Sequence, residues 1–151
     1  MRAKVPRRDV TTFRTQFMNL SRRLRREAHA DDRSWVRLQL LGAIERAKNA
    51  ATPTMLSEGE SVRSSNLAAA LRELEAEGLI TRTPDAVDRR KVRVQLTRTG
   101  REVLDENITR REQWLADAID QCLTKEERAL LFKAGELLGR VASFGGTNGG
   151  T

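Results

Sequence analysis

A single cysteine, Cys122, excludes any disulfide within the chain. Histidine is also single, at His29, so a His/Cys metal cluster cannot be assembled inside one subunit. Tyrosine is missing, and the aromatics are Trp35, Trp114 and four Phe, which leaves Leu, Ala and Val to fill the core. No apolar run approaches the roughly 18 residues of a membrane span. The basic stretch from Met1 to Asp9 lacks the apolar segment that would follow it in a signal peptide. Neither a glycine-rich phosphate loop nor a Ser/His/Asp signature is present. These absences argue against a secreted protein, a membrane protein, a metalloprotein and an enzyme. No cofactor and no membrane partner is expected, and the chain reads as cytoplasmic.

What the sequence does have is positive charge and helical periodicity. The 151 residues suit one domain, or one small module with a dimerisation element. Charged residues make up 32%, which suits long solvated helices. The net charge is +7 and the isoelectric point is near 10.6, a balance that fits an acidic partner such as nucleic acid. Residues 1–26 carry nine Lys/Arg against one Asp, and residues 79–101 carry seven against two, while the remainder sums to −6. Charge is therefore gathered into two patches, one of them short and central.

Val10, Phe13, Phe17, Leu20 and Leu24 follow steps of 3, 4, 3 and 4, the spacing of a helix–helix seam. That stripe suits either core packing or pairing with another subunit. Arg22, Arg23, Arg25 and Arg26 close this helix, as a solvated end or as a second DNA-facing patch. Ser34 is read as the cap of a second helix, which reaches to about Asn49. Thr52-Pro53 restarts the chain as N-cap and first helical residue, and Gly59 interrupts the helix that follows. The stretch Ser61–Glu77 is the most helix-like. Leu67, Leu71 and Leu74 share one face with Ala70, and Ser65, Ala69, Arg72 and Ala76 occupy the other. Gly78 stops this helix. Residues 79–83 read as a strand, Pro84 to Arg89 as a turn, and Val92, Val94 and Leu96 as a half-buried strand. Thr97 caps a long helix, and Thr124 with Glu127 forms a capping box for a last one. Leu130, Leu131, Ala134, Leu137, Leu138 and Val141 lie on one side of it.

Short helix, turn, helix and charged hairpin is the layout of a winged helix-turn-helix. A helix with a small, polar outer face can enter the major groove, and an arginine-bearing hairpin tip can reach the neighbouring minor groove or its phosphates. Three motifs sharpen this: Leu71 to Ile80 with Glu77-Gly78-Leu79, Asp85 to Arg90 with Asp88-Arg89-Arg90, and Leu96-Thr97-Arg98-Thr99-Gly100. Over about Ser34 to Leu104 the sequence resembles the MarR family of bacterial regulators, which carries these motifs in this order and spacing. The resemblance implies an obligate homodimer whose winged lobes grip palindromic double-stranded DNA, with repression the commoner mode. It places Ser64, Ser65, Asn66, Ala69 and Arg72 on or near the DNA-facing part of the recognition helix, and Arg89 and Arg90 at the wing tip. Asp88 would orient one of these arginines, with Lys91 and Arg93 available for phosphate. Arg63 stands where the family often has a Ser or Thr cap, and Glu60 where it often has an apolar residue. Ser61 or Ser64 then becomes the candidate cap and Arg63 a phosphate contact. The family often binds small aromatic anions in a crevice between the dimer helices and the winged lobe. Phe17, Met18, His29, Trp35, Arg37 and Trp114 are the candidate lining for such an effector, against a plain reading of the aromatics as core.

The expected fold class is therefore mainly α with a small two-stranded β wing, a winged helix-turn-helix with N- and C-terminal dimerisation helices. Its expected divisions are a basic mobile arm (1–9), an N-terminal dimerisation helix (10–33), the DNA-binding lobe (34–100), C-terminal dimerisation helices (101–144) and a disordered tail (145–151). Rival readings are a non-specific architectural DNA binder and a winged module used for protein contacts; charge concentrated on the hairpin argues against the second. Arg72 has an alternative ion pair with Glu73 or Glu75. Cys122 reads as a small apolar residue near the end of a dimerisation helix rather than a redox sensor, since peroxide-sensing relatives use an N-terminal Cys with Tyr partners.

Overall fold

A computed structural model describes residues 4–28, 32–48, 51–58, 64–85, 88 and 90–144. Among these the order is α1 (Arg7–Glu27), α2 (Asp32–Arg46), α3 (Pro53–Glu58), α4 (Ser64–Ala76), β1 (Ile80–Pro84), β2 (Val92–Leu96), α5 (Arg98–Cys122) and α6 (Lys125–Ala142). The chain divides into a unit ending at Glu112 and a unit beginning at Gln113.

Local chemistry sets most boundaries of the first unit. The Thr52 hydroxyl accepts from the Met55 amide at 3.3 Å, and Pro53 opens α3, where no amide hydrogen is required. Helix α4 ends in a Schellman motif: Leu79 N–H donates to Leu74 O at 2.9 Å and Gly78 N–H to Glu75 O at 2.9 Å. That closure needs Gly78 at φ +70, the left-handed region that a side chain disfavours. Thr97 caps α5, its hydroxyl oxygen accepting from the Gly100 amide at 3.0 Å.

Strands β1 and β2 are antiparallel, with Ile80 opposite Leu96 and Pro84 opposite Val92. On the far edge of β2, Val94 N–H donates to Ala51 O at 2.9 Å, so the segment before α3 is tied to the wing. The core beneath is aliphatic. Leu40, Leu41 and Ile44 of α2 meet Leu56, Leu67, Leu71, Leu74, Ile80, Val94 and Leu104 there. Each fully buried side chain of this kind contributes roughly 1.5–3 kcal/mol relative to exposure. The leucine face of α4 is thereby held inward, and its other face is left to solvent.

Several element ends differ from expectation. Helix α1 starts at Arg7 rather than Val10, because Pro6 (φ −61, ψ 136) is extended and serves as N-cap, while the polar first turn carries no apolar period. Ser34 is not a cap: α2 already begins at Asp32, and it ends at Arg46 rather than near Asn49. Lys48, at φ 46, turns the chain there. Pro84 belongs to β1 and not to the turn; each strand of a two-stranded sheet is an edge, where a missing amide hydrogen is tolerated. Helix α4 begins at Ser64, while Glu60, Ser61, Arg63 and Gly59 lie outside the described residues.

In the second unit α6 opens with the expected capping box: Glu127 N–H donates to the Thr124 hydroxyl at 3.3 Å and Thr124 N–H to the Glu127 carboxylate at 2.8 Å. Arg128 fastens the turn, reaching Asp120 Oδ1 at 2.6 Å and Leu123 O at 3.1 Å. Neither α1 nor α6 contains a fully buried residue. Among the described residues no helix is long and apolar enough to cross a membrane.

Candidate nucleic-acid interface

Burial of Leu67, Leu71 and Leu74 turns Asn66, Ala69, Arg72 and Ala76 outward on α4. Ser64 and Ser65 form the opening of the same helix. The outward face is small apart from Arg72, whose Nε donates to Ala68 O at 3.2 Å along the helix. Glu75 is engaged elsewhere: its carboxylate accepts from Arg82 Nε at 2.8 Å, tying α4 to β1. The hydrogen bond from Arg82 holds the Glu75 carboxyl below the usual glutamate range, and the same bond raises the Arg82 guanidinium. Arg72 thus keeps its place on the outer face without the Glu75 partner weighed for it.

The wing is shaped by two carboxylates. Asp85 N–H donates to Lys91 O at 2.9 Å, one pair beyond the strand ladder. Its side chain is 8% exposed, with Oδ1 accepting from the Asp88 amide at 2.9 Å and Oδ2 accepting from Arg93 Nε. Asp88 in turn accepts from the Arg90 amide at 3.1 Å through Oδ1, an Asx turn, and lies 3.6 Å from Arg90 Nε. Lys91 N–H donates to Asp88 O at 2.8 Å. Arg90 is left 96% exposed and Lys91 is exposed beside it. Arg89 lies outside the described residues, as does Arg63. The lobe therefore presents a small-faced helix and a fixed hairpin with a projecting guanidinium, the two surfaces that groove recognition requires.

The MarR family model matches residues 31–91. An HTH-type transcriptional regulator of Mycobacterium tuberculosis is 32% identical over 123 residues, covering 80% of this chain and 83% of the relative. The chain belongs to the MarR family. Among solved structures, a proposed transcriptional regulator from Pseudomonas aeruginosa shares 46% identity at a TM-score of 0.83, covering 93% of this chain and all of that one (100%). MarR of Escherichia coli in its apo form shares 26% at a TM-score of 0.68, covering 92% and 98%. The protein is a transcriptional regulator with a DNA-binding winged helix, and not an enzyme.

Of the six effector candidates of this MarR-family regulator, Trp35 and Arg37 line two different cavities. Trp35 is flanked by two guanidiniums, with Arg25 Cζ 5.3 Å and Arg111 Cζ 5.5 Å from the ring centroid. It lines a cavity of about 340 Å³ with Leu38, Gln39, Gly42, Arg46, Leu104, Ile108 and Arg111. Arg37 lines another, of about 310 Å³, with Ser34, Leu41, Leu79, Val103, Asn107 and Arg110 among its walls. Arg37 also forms an ion pair with Glu77, which ties α2 to the end of the recognition helix. Phe17 and Met18 stand about half exposed on α1, Trp114 belongs to the second unit, and His29 lies outside the described residues. Asp85 and Arg82 went unnoticed as shaping residues. The signal for Asp85 was available: continuing the hairpin register past Pro84 sets it diagonal to Arg93.

Proposed function

We propose that this regulator represses transcription in the cytoplasm as a homodimer on a palindromic operator, and that a small aromatic anion releases it. The observation that carries the operator reading is Arg90, held on a carboxylate-braced hairpin with its side chain 96% exposed. In this proposal Asn66, Ala69 and Arg72, with Ser64 and Ser65, read the major groove. Arg90 and Arg89 take the minor groove or its phosphates, and Lys91 and Arg63 take backbone phosphates. A two-fold dimer reads its site as an inverted repeat, because each subunit offers the same surface. The effector reading is supported by two guanidinium-lined cavities, of about 310 and 340 Å³, walled mainly by α2 and α5. A ligand can shift the protein toward release only if it binds the released arrangement better.

Selection of random duplexes with the full chain tests this. The expected result is inverted repeats with half-sites about one helical turn apart. Recovery of unrelated sequences would favour the architectural reading instead. On the selected duplex, Arg90→Ala should weaken binding at least about tenfold, the cost of one good groove contact. Unchanged affinity would remove the wing from the interface.

A further inference from the structure

We propose that Asp85 is the positioning residue of the DNA-contacting wing, and that Arg93 serves Asp85 instead of touching DNA. This rests on the reading above that the wing meets DNA. A carboxylate that is 8% exposed must be paired, and both of its oxygens are. One holds the Asp88 amide at 2.9 Å and the other takes the Arg93 Nε hydrogen. Asp88 then fixes the Arg90 amide at 3.1 Å. The result is a relay from a half-buried guanidinium, through a buried and then a partly exposed carboxylate, to the exposed arginine. Arg90 is 96% exposed, so its aim is set by its backbone and by the Asp88 carboxylate 3.6 Å from its Nε, both of which this relay anchors. Pairing with Asp85 also commits the Nε edge of Arg93 that a phosphate contact would use.

The proposal makes a prediction opposite in sign to simple electrostatics. Removing an acid next to DNA lessens repulsion and should tighten binding. Asp85→Asn should instead weaken binding to the selected duplex roughly tenfold, because a neutral amide with one accepting oxygen cannot hold both the Asp88 amide and the Arg93 guanidinium as the carboxylate does. In an Arg90→Ala background the same substitution should cost almost nothing further, since the residue it positions is gone. Equal or tighter binding by Asp85→Asn, or an undiminished penalty in the Arg90→Ala background, would overturn the proposal. Should Asp85→Asn melt early, Arg93→Gln provides the measurement. It should weaken binding while leaving the salt dependence that remains after Arg90→Ala unchanged. A slope lower by about one would mean that Arg93 meets a phosphate itself, and would also overturn the proposal. If the wild-type chain binds no duplex, the DNA reading fails. If it binds and Asp85→Asn matches it, only the positioning role fails.

Discussion

Gly100→Ala is expected to destabilise the DNA-binding lobe by roughly 3 kcal/mol, although the same change inside an ordinary helix gains about 1 kcal/mol. Gly100 is buried in the first turn of α5. A methyl group there would sit 2.8 Å from the Leu79 carbonyl carbon and closer still to its oxygen. These are backbone atoms and cannot swing aside. Leu79 O accepts from Thr97 N–H at 3.0 Å, and the Thr97 hydroxyl donates to Gly78 O at 2.6 Å, so the strand entry and the helix start are already bound together. Moving them apart would loosen the Schellman closure of α4, and with it the recognition helix. The loss is a large part of the ~5–15 kcal/mol that holds a typical domain. Thermal melting should fall by roughly 10 °C for a chain of this size. Gly42→Ala is the matched control: its methyl would meet only the far end of Arg46, at 3.3 Å, so stability should hold or rise. A Gly100→Ala protein that melts with the wild type would show that the close approach to Leu79 is not needed.

Phe17→Glu is expected to yield a monomer at micromolar concentration and to weaken binding to a two-half-site duplex by about a hundredfold or more, the loss of linked engagement. Val10, Phe13, Phe17 and Leu20 are 52%, 50%, 48% and 43% exposed along one stripe of α1. Leu130, Leu137 and Val141 of α6 are 67%, 52% and 68% exposed. Helices of 21 and 18 residues that bury nothing fully gain little from their own chain. In the proposed dimer the second copy covers these stripes, and a carboxylate placed there would be buried without a partner. Phe17 is not part of the lobe core, so melting of the lobe should survive. Sedimentation as a dimer with wild-type affinity would refute the assignment of the α1 stripe. Half-site binding that persists in the monomer would separate the reading head from the dimer that duplicates it.

How much of the site could be read beforehand depended on the range of the interactions involved. The leucine face of α4, the stop at Gly78, the starts at Pro53 and Lys125 and the cap at Thr97 all rest on contacts within a few residues, and were legible. The outward set of Ala69, Arg72 and Ala76 followed from the same periodicity, and Asn66 from the family resemblance. The roles of Asp85 and Arg93 did not, because an Asp in a Pro-Asp turn looks solvated until the hairpin register brings it beside Arg93. Glu75 was weighed as a partner of Arg72, and only the packing of α4 on β1 gives it to Arg82. Trp35 and Arg37 fell to different cavities for a similar reason. Helical spacing can assign a face to Trp35 or Arg37, but not the cavity that this face meets.

The sequence by itself determined a winged lobe with positive charge concentrated at residues 79–101, beside a second basic patch at residues 1–26, and the lobe's boundaries are written in caps, glycines and leucine spacing. The single cysteine, the single histidine and the missing tyrosines had already narrowed the chemistry. Tertiary structure decided which charges are free to meet DNA. Arg90 projects while Arg93, three residues on, is held by a buried carboxylate, and that difference arises when two strands pair and bring residues eight apart into contact.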